Sequence, residues 1–489
     1  MSRDTSTRAI TIDKLPGSVW GLAFTELWER FSFYGLNGIL TLYLIYNLAD
    51  GGLEIPKSAA AGIVGAYGGS VYLAQVLGAW LGERVMSPKW MVFWGGSVIT
   101  AGHLVLAFVP GITGVALGLV LIILGTGALK TNITNIVGIV LDGRDQGQRD
   151  VGFAYFYVAI NMGAVLGPMA TGFVQNEWGF HWGFGLAAVG MAGALVQYVF
   201  SMRKLPARTS AILRPIGHAK LTAILIGAVV VGGLIGVLIV TGTVKPEQLA
   251  SITTVLILVI AAWYFFVMLT AKSVTREEKS RVAAYLPLFL AAGVYFGLLF
   301  QQFTAITFLI TERVNLAIGS WSMPVPWITM LSQLAAVVIT PVVARYWGRS
   351  GNDGPGAPSK FAIGLVQMGL AYILMMVALM LFPDQPGVQI PLLLVIVVML
   401  VAGASEVFIG PIGLSLATKI GPARFKTQLI GLNALTLALG SSFSGLLGQL
   451  FEVMEPVPYF AVIIAVGIGS GLAIWAFQKP LQRALRAGL

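Results

Sequence analysis

The chain has 489 residues, 57% of them apolar and only 10% charged, with a net charge of +10 and a mean hydropathy of +0.86. That balance excludes a soluble globular protein and describes a polytopic membrane protein. With no cysteine, disulfides, thiol catalysis and cysteine-held metals are excluded, and three scattered histidines give no metal-ligand spacing.

Apolar runs of about 20 residues or more predict fourteen transmembrane helices: 17–46, 58–83, 90–109, 113–140, 151–175, 180–202, 219–241, 249–271, 282–311, 323–344, 361–382, 391–418, 428–449 and 456–478. The basic residues sort by side. Only Lys57, Lys245 and Arg313 lie in one set of loops, and Arg30 and Lys130 lie inside spans. All the others fall in the tails and in alternate loops, from Arg84 and Lys89 through the dense 203–220 loop to Lys479, Arg483 and Arg486. The positive-inside rule then places both termini in the cytoplasm, as expected for a plasma-membrane protein. The basic excess is topological, its partner anionic lipid headgroups and not nucleic acid. The N-terminal tail carries Asp4 and Asp13 and no separate apolar segment, so it does not read as a cleaved signal.

The two longest basic loops divide the chain as six plus two plus six. The expected plan is a cytoplasmic tail at 1–16, a six-helix bundle at 17–203, a linker with two extra transmembrane helices at 204–281, a second six-helix bundle at 282–478 and a cytoplasmic tail at 479–489. Duplicated halves of this kind are common in secondary transporters.

The first span holds three ionisable residues, Glu26, Glu29 and Arg30. A charge at the bilayer centre costs roughly 2.5–3.5 kcal/mol on insertion scales, so such groups persist where they face one another, water or a substrate. At about 100° per residue, Glu29, Phe33, Glu26, Asn37, Arg30 and Tyr34 share an arc of about 140°. Glu26 and Arg30 stand four residues apart, within pairing distance. Two carboxylates against one guanidinium call for a further cation. Lys130, in the fourth span among Gly125, Gly127 and Asn132, is the candidate. The four charges then sum to zero, and protonating one carboxylate leaves +1 to hold a substrate carboxylate. Three charges on one face exceed what helix packing needs.

Glu406 is the lone acid inside the second-half spans. Cations in one half and an anion in the other suit a small zwitterion bridging the halves. Each extended residue adds only about 3.3–3.6 Å, so an amino acid, dipeptide or tripeptide is the natural reach. Tyr34, Tyr72, Tyr155, Tyr157 and Tyr295 are candidate cavity residues. His103 has no carboxylate nearby in sequence and reads as a packing histidine.

These residues resemble the proton-dependent oligopeptide transporter family of the major facilitator superfamily. Glu26-x-x-Glu29-Arg30-Phe31-x-Phe33-Tyr34-Gly35 is similar to the family's first-helix motif, with Phe33 where tyrosine is usual. Gly125, Gly127, Lys130 and Asn132 match the fourth-helix pattern, with Thr131 in place of proline. Arg149-Asp150, Gly152-Phe153, Phe156-Tyr157, Asn161 and Gly163 resemble the fifth-helix signature, and Ser405-Glu406 with Pro411, Gly413 and Ser415 the tenth-helix segment.

The resemblance implies an all-α major facilitator fold and no enzyme activity. It implies proton-coupled import of di- and tripeptides by alternating access, with protons as the coupling ion and no cofactor. By the same resemblance, Arg30 and Lys130 receive the peptide carboxylate, Glu406 with Asn161 the amino group, and Tyr34 and Tyr72 line the pocket. Glu26 and Glu29 exchange the proton against Arg30 and Lys130. Besides Phe33 and Thr131, four positions depart from the family. Gln301 stands at a seventh-span carboxylate and Asn37 at the arginine that pairs with it. Val325 replaces an asparagine and Asn433 a tryptophan. A relative carrying another small zwitterion or organic anion, and a non-transporting peptide-binding sensor, are the alternative readings.

Overall fold

The computed structural model describes residues 16–144, 146–217, 241–350 and 355–487, together with 220 and 222. Six helices come first: α1 Gly17–Ile45, α2 Lys57–Arg84, α3 Pro88–Phe108, α4 Gly111–Val140, α5 Gln146–Trp178 and α6 Phe180–Ser201. After the loop come α7 Gln248–Thr270, α8 Arg276–Leu299, α9 Ala305–Arg313, α10 Val325–Ser350, α11 Ala357–Leu381, α12 Leu392–Ala404, α13 Gly410–Ile420, α14 Lys426–Val453, α15 Pro456–Ala476 and the short α16 Gln478–Leu485. Among the described residues, twelve segments are long and apolar enough to cross a membrane. Helix α1 is set apart by its three charges and is enclosed by α5 and α6. The span expected at 219–241 lies outside the described residues.

Local chemistry sets the helix ends. Gly179 (φ 94°) reverses the chain between α5 and α6 in a single residue, a conformation open to glycine at little cost. Helix α8 starts on a capping box: Glu278 N donates to Thr275 Oγ1 at 3.2 Å and Thr275 N to Glu278 Oε2 at 2.9 Å, satisfying two otherwise orphaned donors.

Two spans expected to be continuous are broken. Between α8 and α9 the chain tightens into a 3-10 turn at Phe300–Phe303, and between α12 and α13 into another at Ser405–Phe408. Hydropathy does not register such breaks, because neighbouring polar groups satisfy the freed backbone. Thr307 Oγ1 donates to Gln302 O at 2.6 Å and Ser405 Oγ to Ala402 O at 2.6 Å. Gly403 is a packing glycine, since a Cβ there would run into the backbone of Ser332.

The first six helices meet the later ones at the end remote from the termini. Lys57 pairs with Glu312, and Ser58 N donates to Glu452 Oε2 at 2.6 Å. Thr41 Oγ1 donates to Phe303 O at 2.5 Å and Trp327 Nε1 to Met169 O at 2.8 Å. Pro326 fits between Gly38 and Gly172. Along the seam, the backbones of α2 and α14 touch at Gly65 and Gly445, and α7 braces it where Gln449 Nε2 donates to Glu247 O at 2.5 Å.

At the terminal end, Arg208 donates to Asp142 at 2.6 Å, and this contact holds the Asp142 carboxyl below the usual carboxylate range. A depressed carboxylate contributes stability above its unfolded pKa, and that contribution is lost as pH falls through the folded value. Amide-exchange protection factors in the 203–210 segment, taken relative to the intrinsic rate at each pH, should therefore fall on acidification in the native chain and change less in Asp142→Asn. Equal acid responses in the two proteins would rule the contact out.

Candidate functional site

The predicted charge cluster forms, with one change of partner. Arg30 grips Glu29 with both arms, Nε to Oε2 at 2.5 Å and Nη2 to Oε1 at 2.6 Å, while the expected partner Glu26 lies at 3.8 Å. Adjacent residues reach each other here because the arginine side chain curls back, with its guanidinium 4.8 Å from the centre of the Phe33 ring. Lys130 supplies the missing cation and pairs with Glu26 Oε1. Both carboxylates are fully buried. Glu26 Oε2 has no hydrogen-bond partner, an exception for a buried polar atom.

Glycines bring the helices close enough for this. On α4, a Cβ at Gly127 would stand 2.6 Å from Ala74 O of α2, and one at Gly125 2.6 Å from Gly95 O of α3. Asn132 Nδ2 donates to Gly78 O at 3.0 Å, and Thr131 Oγ1 to Gln75 O at 2.9 Å. The fourth-helix motif thus fixes α4 to both neighbours, which holds Lys130 against α1. On α5, a Cβ at Gly163 would stand 2.7 Å from Arg30 Cβ. Gly127→Leu should force α2 and α4 apart and lower stability by about 1–3 kcal/mol, the usual cost of overpacking. Gly138→Ala, with open space around it, is the control. Equal melting temperatures for the two would refute the packing argument.

Aromatic side chains wall the cluster. Phe33 touches Tyr34, Tyr67 and Tyr72, and Tyr72 stacks on Phe300 across the seam at 6.5 Å and 12°. Tyr34 and Tyr72 lie near both Arg30 of one bundle and Glu406 of the other. Tyr157 also borders the space. Tyr295 is fully buried and hydrogen-bonds Ser405 at 2.9 Å, and Tyr155 packs on Trp20.

Glu406 sits in the 3-10 turn of the broken span and lines a cavity of about 520 Å³ with Tyr157, Thr340, Ser415, Thr418 and Asn433. Its Oε2 has no partner. Asn433 Oδ1 accepts from Tyr285 at 3.2 Å, leaving its NH2 toward the cavity. Asn161 Nδ2 donates to Tyr157 O at 3.0 Å, which leaves its Oδ1 as an acceptor. The cavity volume is in the range of small-molecule sites.

Three departures take different places. Asn37 donates to Phe33 O of its own helix at 2.8 Å. Gln301 is buried in another network: its Nε2 donates to Gly297 O at 3.2 Å and Ser444 O at 3.1 Å, and its Oε1 accepts from Tyr459 at 2.7 Å and Thr304 at 3.2 Å. The two do not bond each other. Val325 is buried in the core beside Pro326 of the inter-bundle contact, and it is absent from the lining around Glu406. Sequence reasoning also missed Thr340 and Thr418, because single hydroxyls in apolar spans carry no distinguishing pattern.

The sequence model of the POT family matches residues 89–463. The chain belongs to the POT family. It is 33% identical to the uncharacterized transporter YclF of Bacillus subtilis over 97% of this chain and 96% of that one. It is 32% identical to a di-/tripeptide transporter of Lactococcus lactis subsp. cremoris, over 96% of each. A crystal structure of a peptide transporter, POT, in complex with sulfate superposes with a TM-score of 0.89 at 34% identity, covering 97% of this chain and 96% of that one. The fold is accordingly that of the major facilitator superfamily, and this POT-family chain is a multi-pass membrane transporter and not an enzyme.

Proposed function

We propose that this protein is a proton-coupled symporter that imports di- and tripeptides by alternating access. One observation carries the reading: the first bundle holds Arg30 and Lys130 beside its own carboxylates, the second holds a Glu406 oxygen with no partner, and Tyr34 and Tyr72 lie near both Arg30 and Glu406. Arg30 and Lys130 take the peptide carboxylate. Glu406 and the acceptor oxygen of Asn161 take the ammonium, and Tyr34 and Tyr72 line the path between. Termini and side-chain length fit this division, because the fixed charges belong to the peptide ends and the side chains are met by the mostly apolar cavity wall.

Coupling follows from the charge count. With Glu26, Glu29, Arg30 and Lys130 all ionised, the cluster is neutral and Lys130 is held by Glu26. A proton on Glu26 releases Lys130 and leaves +1, which attracts the peptide carboxylate. Release of the peptide lets Lys130 return and expel the proton. With termini in the cytoplasm of a bacterial inner membrane, the closed remote end is the outer one and the cavity opens inward. The bundles then rock about the α2–α14 seam, with two domains of six helices and the linker 204–281 at their join.

The test is uptake of labelled dialanine into proteoliposomes with an imposed inward proton gradient, with an uncoupler as control. Accumulation that the uncoupler abolishes is the expected result. Dialanine binding to the correctly inserted protein with no accumulation under the gradient would overturn it.

A further inference from the structure

A groove of about 940 Å³ runs between α1 and α6 on the outside of the first bundle, away from the peptide site. Its apolar part includes Phe24, Trp28, Val189 and Phe200, and it ends at the exposed Arg203 and Lys204. We propose that this groove binds one anionic diacyl phospholipid of the terminus-side leaflet, with its phosphate on Arg203 and Lys204 and an acyl chain along Trp28.

Length, floor, polar zone and charge agree on that occupant. Leu186 and Phe200 are fourteen residues apart on one helix, or about 21 Å at 1.5 Å per residue, enough to cover one leaflet's half of a hydrocarbon core of about 30 Å. The floor is open because Gly190 accepts the Trp28 ring, and nothing lies within 4 Å of where a Cβ at Gly193 would be. Near the basic end lies a small polar set. Thr25 Oγ1 donates to Gln197 Oε1 at 3.2 Å, and Gln197 Nε2 to Ser201 Oγ at 2.5 Å. Ser201 therefore keeps its own hydroxyl proton to offer, at the depth where glycerol esters sit. Among the described residues, neither Arg203 nor Lys204 has an ion-pair partner. Basic pockets between helix ends on the cytoplasmic side are suited to anionic headgroups.

The site bears on transport through α1. At about 100° per residue, Phe24 and Trp28 lie on the face of α1 opposite Glu26, Glu29 and Arg30. A lipid there supports the back of the helix whose front carries the charge cluster.

The experiment uses delipidated full-length protein in neutral detergent with phosphatidylglycerol or phosphatidylcholine of identical chains. Phosphatidylglycerol should raise Tm by roughly 2–5 °C more than phosphatidylcholine, and native mass spectrometry should show one retained phosphatidylglycerol. The pair Arg203→Gln and Lys204→Gln should weaken that binding tenfold or more. Gly193→Leu, whose Cβ has no atom within 4 Å and whose side chain enters the groove, should remove the retained lipid while keeping Tm in phosphatidylcholine. Arg424→Gln, a basic position on the other bundle, should leave the shift intact. Equal shifts with both lipids, or retention of the phosphatidylglycerol effect in Gly193→Leu and in the double variant, would overturn the site. Glycerol phosphate reproducing the shift would instead mean a headgroup-only anion site and would also overturn it.

Discussion

Glu26→Gln is expected to exchange peptide across proteoliposomes while failing to accumulate it against a gradient. The amide reproduces the uncharged form of Glu26, so Lys130 loses its carboxylate contact and the cluster holds a permanent +1. Peptide can still be received at Arg30 and Lys130, because both cations remain. What disappears is the return step, in which an ionised Glu26 recaptures Lys130 and sheds its proton. Counterflow of labelled dialanine should persist within about tenfold of the native rate, and gradient-driven accumulation should fall to background. Undiminished accumulation would move the coupling elsewhere. Lys130→Ala is the companion variant: it leaves Glu26 buried with no cation at its Oε1 except the more distant Arg30, and removing one partner of a buried pair typically costs about 3–5 kcal/mol. Its Tm should drop further than that of Glu26→Gln, because the Lys130 left unpaired there keeps 17% of its side chain exposed whereas Glu26 is fully enclosed.

The second large effect is expected at Glu406. Glu406→Gln should raise KM for dialanine by about 10- to 150-fold, the equivalent of the roughly 1.5–3 kcal/mol of a hydrogen bond to a charged group. A substrate analogue lacking the amino group should lose nothing further, since it has no ammonium to meet the carboxylate. Stability should hold or rise, because Glu406 Oε2 has no partner to forfeit and an uncharged amide is less costly to bury. An equal loss for both substrates would mean that Glu406 shapes the cavity without binding the ammonium.

Much of this was legible in the sequence because charge inside an apolar run is so costly that it announces itself. Glu26, Glu29, Arg30, Lys130 and Glu406 needed only their position within spans, and the glycines around Lys130 signalled close helix approach. The choice of partners was less legible. Spacing favoured Arg30 with Glu26, whereas rotamer and ring contact with Phe33 gave Arg30 to Glu29. The breaks at Phe300–Phe303 and Ser405–Phe408 were hidden, since three or four residues of tighter helix leave hydropathy unchanged. Gln301 shows a further limit: alignment to a motif names a position, and only packing tells whether that position meets its expected partner or a separate buried network.

The network around Gln301 carries a consequence of its own. An amide there gives two hydrogens to carbonyl oxygens and takes two hydroxyl hydrogens on the other atom, so donors and acceptors are matched without any net charge. Gln301→Glu would set carboxylate oxygens against the carbonyls of Gly297 and Ser444 and should cost about 1–3 kcal/mol of stability, readable as a lower Tm; an unchanged Tm would show that the turn tolerates either group. The knee of α8 and α9 is thus a joint whose fit does not vary with acidity. In the proposed cycle the proton is carried by the Glu26–Lys130 cluster, and the knee of α8 and α9 takes no part in it.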